Sequence, residues 1–143
     1  MFNPAHAKTT DNFFTLVDLA DEREQERLSP AALNAFFNIM ECWKVLDEDA
    51  RFLLGGISNG TLYNYKKLPH KKLNQDTLMR ISLLIGIFKA LNILHNQELA
   101  DKWMQLPNKN SIFTDKTPLE YLKKGGIPAM QVLRKLLDAR RGG

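Results

Sequence analysis

An all-α fold, a helix-turn-helix part followed by a helical C-terminal domain, is what this 143-residue sequence predicts. Three observations lead there. Apolar residues recur every three or four positions through most of the chain, no segment makes a convincing strand, and a glycine pair, Gly55-Gly56, separates two short helical stretches. The length suits one compact domain or two small helical units that share a core.

Residues 1 to 11 show no helical pattern. Phe13 to Glu26 places Phe13, Leu16, Val17 and Ala20 on one helical face, and Ser29-Pro30 reads as the cap and first residue of a second helix. That helix carries Leu33, Phe36, Phe37, Met40 and Trp43 at helical spacing, a face expected to pack against the helix-turn-helix. Leu46 to Leu54 makes a short helix with Asp47, Glu48 and Asp49 at its positive end. Glycine takes φ > 0 without a Cβ penalty, so Gly55 or Gly56 closes this helix and makes the turn. Ile57 plugs the corner, Ser58 caps the next helix, and Leu62 and Tyr65, three apart, face inward. The paired glycines make the turn one residue longer than the tightest form of the motif.

Past Leu68-Pro69, Asn74 caps a long helix from Gln75 to Leu94 whose apolar stripe is so wide that burial, in part by a second subunit, is expected. His95-Asn96 breaks it, and Gln97 to Gln105 forms a shorter helix with Leu99, Ala100 and Trp103 inward, stopped by Leu106-Pro107. Asn108 to Lys116 is a polar loop apart from Ile112 and Phe113. Thr117-Pro118-Leu119-Glu120 is a capping box with proline at the first helical position. Its helix runs to Lys124 and ends at Gly125-Gly126; a last helix opens at Ile127-Pro128 with Val132, Leu133, Leu136 and Leu137 on its apolar face. The chain thus divides into an N-terminal segment (1–28), a helix-turn-helix region (29–72) and a helical C-terminal domain (73–143).

A net charge of +4 and a pI near 9.2 permit a nucleic-acid or acidic partner without requiring one. The first thirty residues are acidic and the last quarter is basic, which implies two different surfaces. The lone Cys42 excludes an internal disulfide and reads as a buried small hydrophobe. The start lacks the pattern of a signal peptide, and the apolar stretch Ile81 to Leu94 is interrupted and too short to span a bilayer, so a cytoplasmic protein is expected.

Catalysis needs convergent groups, and here they are scattered. His6, His70 and His95 lie at no metal-ligand spacing from a Cys, Asp or Glu, and no phosphate-cradling glycine loop is present. No catalytic residue, metal or cofactor is expected, and the protein should work by binding. One binding surface is the outer face of the second helix of the motif: Ser58, Asn59, Thr61, Tyr63, Asn64, Lys66 and Lys67. Asparagine can pair with an adenine edge, Ser, Thr and Tyr can bond phosphate, and the lysines supply charge. The motif reads as bipolar, with its acids at the start of the first helix and Lys66, Lys67, Lys71 and Lys72 at the end of the second. A homodimer would set two such helices about 34 Å apart in successive major grooves of operator DNA.

Residues from about 30 to 143 resemble antitoxins of the Xre/MbcA/ParS type, the partners of RES-domain toxins. The resemblance rests on Gly56-Ile57-Ser58-Asn59-Gly60-Thr61-Leu62-Tyr63-Asn64-Tyr65-Lys66, on Leu73-Asn74-Gln75-Asp76-Thr77-Leu78-Met79-Arg80-Ile81-Ser82-Leu83-Leu84, on Ala100-Asp101-Lys102-Trp103-Met104-Gln105-Leu106-Pro107-Asn108, and on Thr117-Pro118-Leu119-Glu120-Tyr121-Leu122 followed by Gly125-Gly126. It implies an antitoxin that covers the active-site entrance of an NAD-degrading RES toxin with its C-terminal domain and represses its own operon through the helix-turn-helix. Carried onto this chain, the toxin-binding surface comprises Trp103, Asn108, Phe113, Pro118, Leu119, Gly125, Gly126, Arg134, Arg140, Arg141 and Gly143. Arg140 or Arg141 would pair with toxin acids while the terminal glycines enter a narrow cleft. The chain departs from the family pattern at Asn110 to Asp115, where glycines are frequent, and at Tyr65, where tryptophan is common. The competing reading is a dimeric helix-turn-helix regulator with a ligand pocket in its C-terminal half.

Overall fold

The computed structural model describes residues 18–68 and 71–142, and every regular element among them is helical. The described residues hold six α-helices: α1 (Glu22–Trp43), α2 (Asp47–Leu53), α3 (Asn59–Lys67), α4 (Gln75–Leu94), α5 (Gln97–Lys102) and α6 (Pro118–Arg140), with 3-10 turns at Trp103–Gln105 and Ser111–Phe113. His6, Phe13 to Val17, His70 and Gly143 lie outside the described residues.

Most helix starts follow from side chains next to them. Ser58 accepts from the Thr61 N–H at 3.1 Å, Asn74 from Thr77 at 2.8 Å, Asn96 from Leu99 at 2.9 Å and Thr117 from Glu120 at 3.2 Å. Each satisfies one of the donors that a helix start leaves without an internal partner.

The start of α1 differs from expectation. Ser29-Pro30 does not open a helix; α1 begins at the cap Asp21 and runs through Pro30. The tertiary structure overrides the local signal. Ser29 is fully buried, its hydroxyl donates to the Gln25 carbonyl, and its oxygen accepts from the Leu73 N–H at 2.8 Å. The serine is therefore a bolt between α1 and the strand-like approach to α4, while Leu28, Ala32, Leu33 and Phe36 on either side of the proline are all buried. Proline has no N–H for the Glu26 carbonyl, but Glu26 faces solvent, where water can meet that group.

At the other end of α1, Lys44 takes the left-handed conformation (φ 56°), and Gln105 donates to the carbonyls of Trp43 and Lys44 at 2.8 and 2.9 Å. Trp43 meets Phe88 of α4 with ring centroids 6.2 Å apart. The apolar face of α1 was expected against the helix-turn-helix; it packs chiefly on α4, with a smaller contact to α3.

Helix α4 is the centre of the molecule, lying between α1 and α6. Leu78, Ile81, Leu84, Ile87, Ala90 and Leu91 are fully buried there. The helix has the length and apolarity to cross a membrane, more than the interrupted stretch from Ile81 suggests, and its enclosure by two neighbours accounts for that composition. Its own chain buries under half of it, leaving Met79, Leu83, Ile85, Phe88 and Leu94 partly buried and Ile93 exposed.

The last helical element bends where the sequence requires. Gly126 has φ 64° and ψ −146°, a combination open essentially to glycine only, and it divides α6 into Pro118–Gly125 and the segment beyond. A Cβ at Gly125 would strike the Ala129 methyl.

Candidate functional site

Two surfaces emerge from this frame. The first is built on α2, its turn and α3. Gly55 and Gly56 both have positive φ (92° and 80°), and the Gly56 N–H closes onto the Arg51 carbonyl at 2.9 Å. The Arg51 guanidinium Nε donates to the Ile57 carbonyl at 2.7 Å, holding the far side of the turn. Leu62 is buried and Tyr65 half-buried against the core, which turns Asn59, Gly60, Tyr63, Asn64, Lys66 and Lys67 outward. Asn59, Tyr63 and Lys67 recur every four residues and make one stripe. Lys67 Nζ lies 5.5 Å from the Tyr63 ring centroid. Thr61 is half-buried, its hydroxyl oxygen taking a bond from Ser58 at 3.0 Å.

The bipolar reading of this motif does not hold. Lys66 Nζ pairs with Asp47 at 2.7 Å and lies 5.8 Å from the centroid of Phe37, so the acids of α2 meet the lysine that ends α3. Lys72 is likewise held by Glu22 at 3.2 Å. Packing α2 against α3 brings Asp47 at the start of one beside Lys66 at the end of the other, a proximity that linear spacing does not reveal. Lys67 is the exposed lysine of α3 that faces outward without such a carboxylate among the described residues.

The second surface is built on the loop from Asn108 and on α6. An aromatic run supports it: Trp103 and Phe113 meet edge-to-face at 6.1 Å, and Phe113 and Tyr121 at 5.3 Å. Trp103, Phe113, Pro118 and Leu119 are all buried, so these four expected contact residues shape the surface from beneath. Asn108 is half-buried and its side chain accepts from the Asn110 N–H at 2.9 Å, setting the loop. Gly125 is exposed and Gly126 half-exposed at the bend. Arg134 lies across Gly86 of α4, where any Cβ would collide with its guanidinium, and its Nε reaches Asp138 at 3.3 Å. Arg140 and Arg141 are exposed, with Arg141 3.5 Å from Asp138.

The two surfaces touch. Lys123 of α6 pairs with Asp49 of α2 at 2.6 Å and lies 5.8 Å from the centroid of the exposed Phe52. The Arg80 guanidinium, held by Asp76 at 2.8 Å, lies beside both Gly55 of the turn and Gly126 of the bend. Sequence reasoning missed Arg51, Arg80 and Lys123, because Arg51 is held by a backbone carbonyl, the partner of Lys123 is far along the chain, and so are the two glycine bends beside Arg80. Cys42 is half-buried rather than buried; desolvation first, then Asp101 and Glu41, push its thiol above the usual cysteine range. Among the described residues no three His, Cys, Asp or Glu side chains are grouped to hold a metal.

Two short helices joined by a glycine turn, followed by a helical C-terminal half with a bent, partly basic last helix, define an all-α protein with two candidate binding surfaces. Residues 89–143 match the family described as Antitoxin Xre/MbcA/ParS C-terminal toxin-binding domain. The chain belongs to this antitoxin family. It is similar to the uncharacterized protein y4oB of Sinorhizobium fredii (strain NBRC 101917 / NGR234), 36% identical over 115 residues that cover 80% of this chain and 87% of the relative. No solved structure matches it.

Proposed function

We propose that this chain neutralises an NAD-degrading RES-domain toxin by laying its C-terminal domain over the toxin's active-site entrance, and that it represses its own operon as a cytoplasmic homodimer through the helix-turn-helix. The observation that carries the reading is the match of residues 89–143 to a toxin-binding domain, a span that contains the loop from Asn108, the bend at Gly126 and the exposed Arg140 and Arg141. A dinucleotide-consuming pocket has to offer donors and acids, and arginines at the end of a helix suit the acids. The DNA part of the reading rests on the outward stripe Asn59, Tyr63 and Lys67, with Asn64 and Ser58 beside it.

The decisive measurement mixes the purified product of the adjacent gene with NAD, with and without this chain in excess. The expected outcome is NAD consumption that stops on addition of the chain and resumes in part when residues 140–143 are deleted. Full consumption in the presence of excess chain would overturn the toxin reading; full inhibition by the deleted form would remove the tail from it.

A further inference from the structure

A cleft of about 340 Å³ opens beside the first half of α6, walled by Phe113, Lys116, Glu120, Tyr121 and Lys124. The backbone works to build it. Thr114 and Asp115 both have positive φ (47° and 66°), the left-handed region that L side chains rarely adopt. This turn folds the Lys116 N–H back onto the Phe113 carbonyl at 2.9 Å and sets the Lys116 side chain on the wall of the same cleft as Lys124. Lys124 is held below the usual lysine range chiefly by the Lys116 side chain, with Glu120 pulling the other way. Neighbouring Lys123 is neutralised by Asp49, whereas neither Lys116 nor Lys124 is ion-paired with a carboxylate among the described residues. Two like charges are so kept together on an exposed rim, beside an edge-to-face pair of aromatic rings.

Such a pair repels itself and is relieved by one anion placed between the two ammonium groups. We propose that this cleft receives the carboxylate of an aspartate or glutamate side chain projecting from the toxin, bonded by Lys116 and Lys124, with its methylene stem against Tyr121. The inference rests on the toxin reading above. A protein carboxylate is favoured over a nucleic-acid phosphate because the cleft lies inside the toxin-binding span and its wall is aromatic.

The test measures binding of the full chain to the adjacent gene's product and to duplex DNA of its own promoter, for wild type, K116Q/K124Q and K116R/K124R. The expected result is a loss of about tenfold in protein affinity for the glutamine pair at low salt, a gap that closes as screening increases, and near-wild-type binding by the arginine pair. Wild-type binding that the glutamine pair leaves unchanged would overturn this inference while the toxin reading stands. No binding by wild type overturns both, and weakened DNA binding with intact protein binding assigns the cleft to phosphate instead.

Discussion

Tyr65 is half-buried where α3 meets α4, and burial raises its hydroxyl above the usual tyrosine range, with a side-chain hydrogen bond to Thr77 pulling the other way. A group whose folded pKa is raised stabilises the fold below its unfolded value, about pH 10, and loses that contribution as pH rises through the folded value. Whatever stability Tyr65→Phe costs near neutrality should therefore shrink as pH climbs past about 10. Urea unfolding at a series of pH values checks this; a difference that widens with pH contradicts the assignment. At Gly126 the backbone rather than a side chain decides. Gly126→Ala should lower stability by roughly 1–3 kcal/mol, since φ 64° with ψ −146° is strained for any L side chain. A thermal midpoint equal to wild type would mean that the bend relaxes freely. The caps at Ser58, Asn74 and Thr117 were legible in the sequence because cap and partner lie three residues apart. Ser29 was not, because what fixes it is the N–H of Leu73, far along the chain.

At the scale of elements, α3 shows where local reading succeeds and stops. Its length, its cap and its inward Leu62 and Tyr65 follow from spacing, and so do its outward asparagines and tyrosine. Its electrostatics do not, because Asp47 is nineteen positions away from Lys66 and meets it only after folding. On the DNA reading this has a measurable consequence. Lys67→Ala should flatten the salt dependence of duplex binding by about one in the logarithmic slope, while Asp47→Asn should release Lys66 and strengthen binding. Mobility shifts across a salt series distinguish the two; weaker binding by the Asp47 variant would sink this division. For α1 the proline signal was real but outweighed, since the buried leucines on both sides of Pro30 gain more from one continuous helix than the missing hydrogen bond costs.

For the whole molecule, the all-α class and the order of helices could be read from periodicity and punctuation, and the bend at Gly125-Gly126 fell where the glycines stand. What could not be read was how the parts lean on one another. Helix α4 gives one face to α1 and another to α6, so the proposed DNA-facing and toxin-facing parts share a single apolar axis. The expected toxin contacts sort by depth for the same reason: Trp103, Phe113, Pro118 and Leu119 sank into the core because they are the apolar members of that set, while Gly125, Arg140 and Arg141 stayed exposed.

Arg80 stands where the two glycine bends come closest, with its guanidinium beside Gly55 on one side and Gly126 on the other. A cation wedged in this way works like a keystone. Shorten it and the two corners lose their common spacer, so that a shift at one is no longer felt at the other along this outer route.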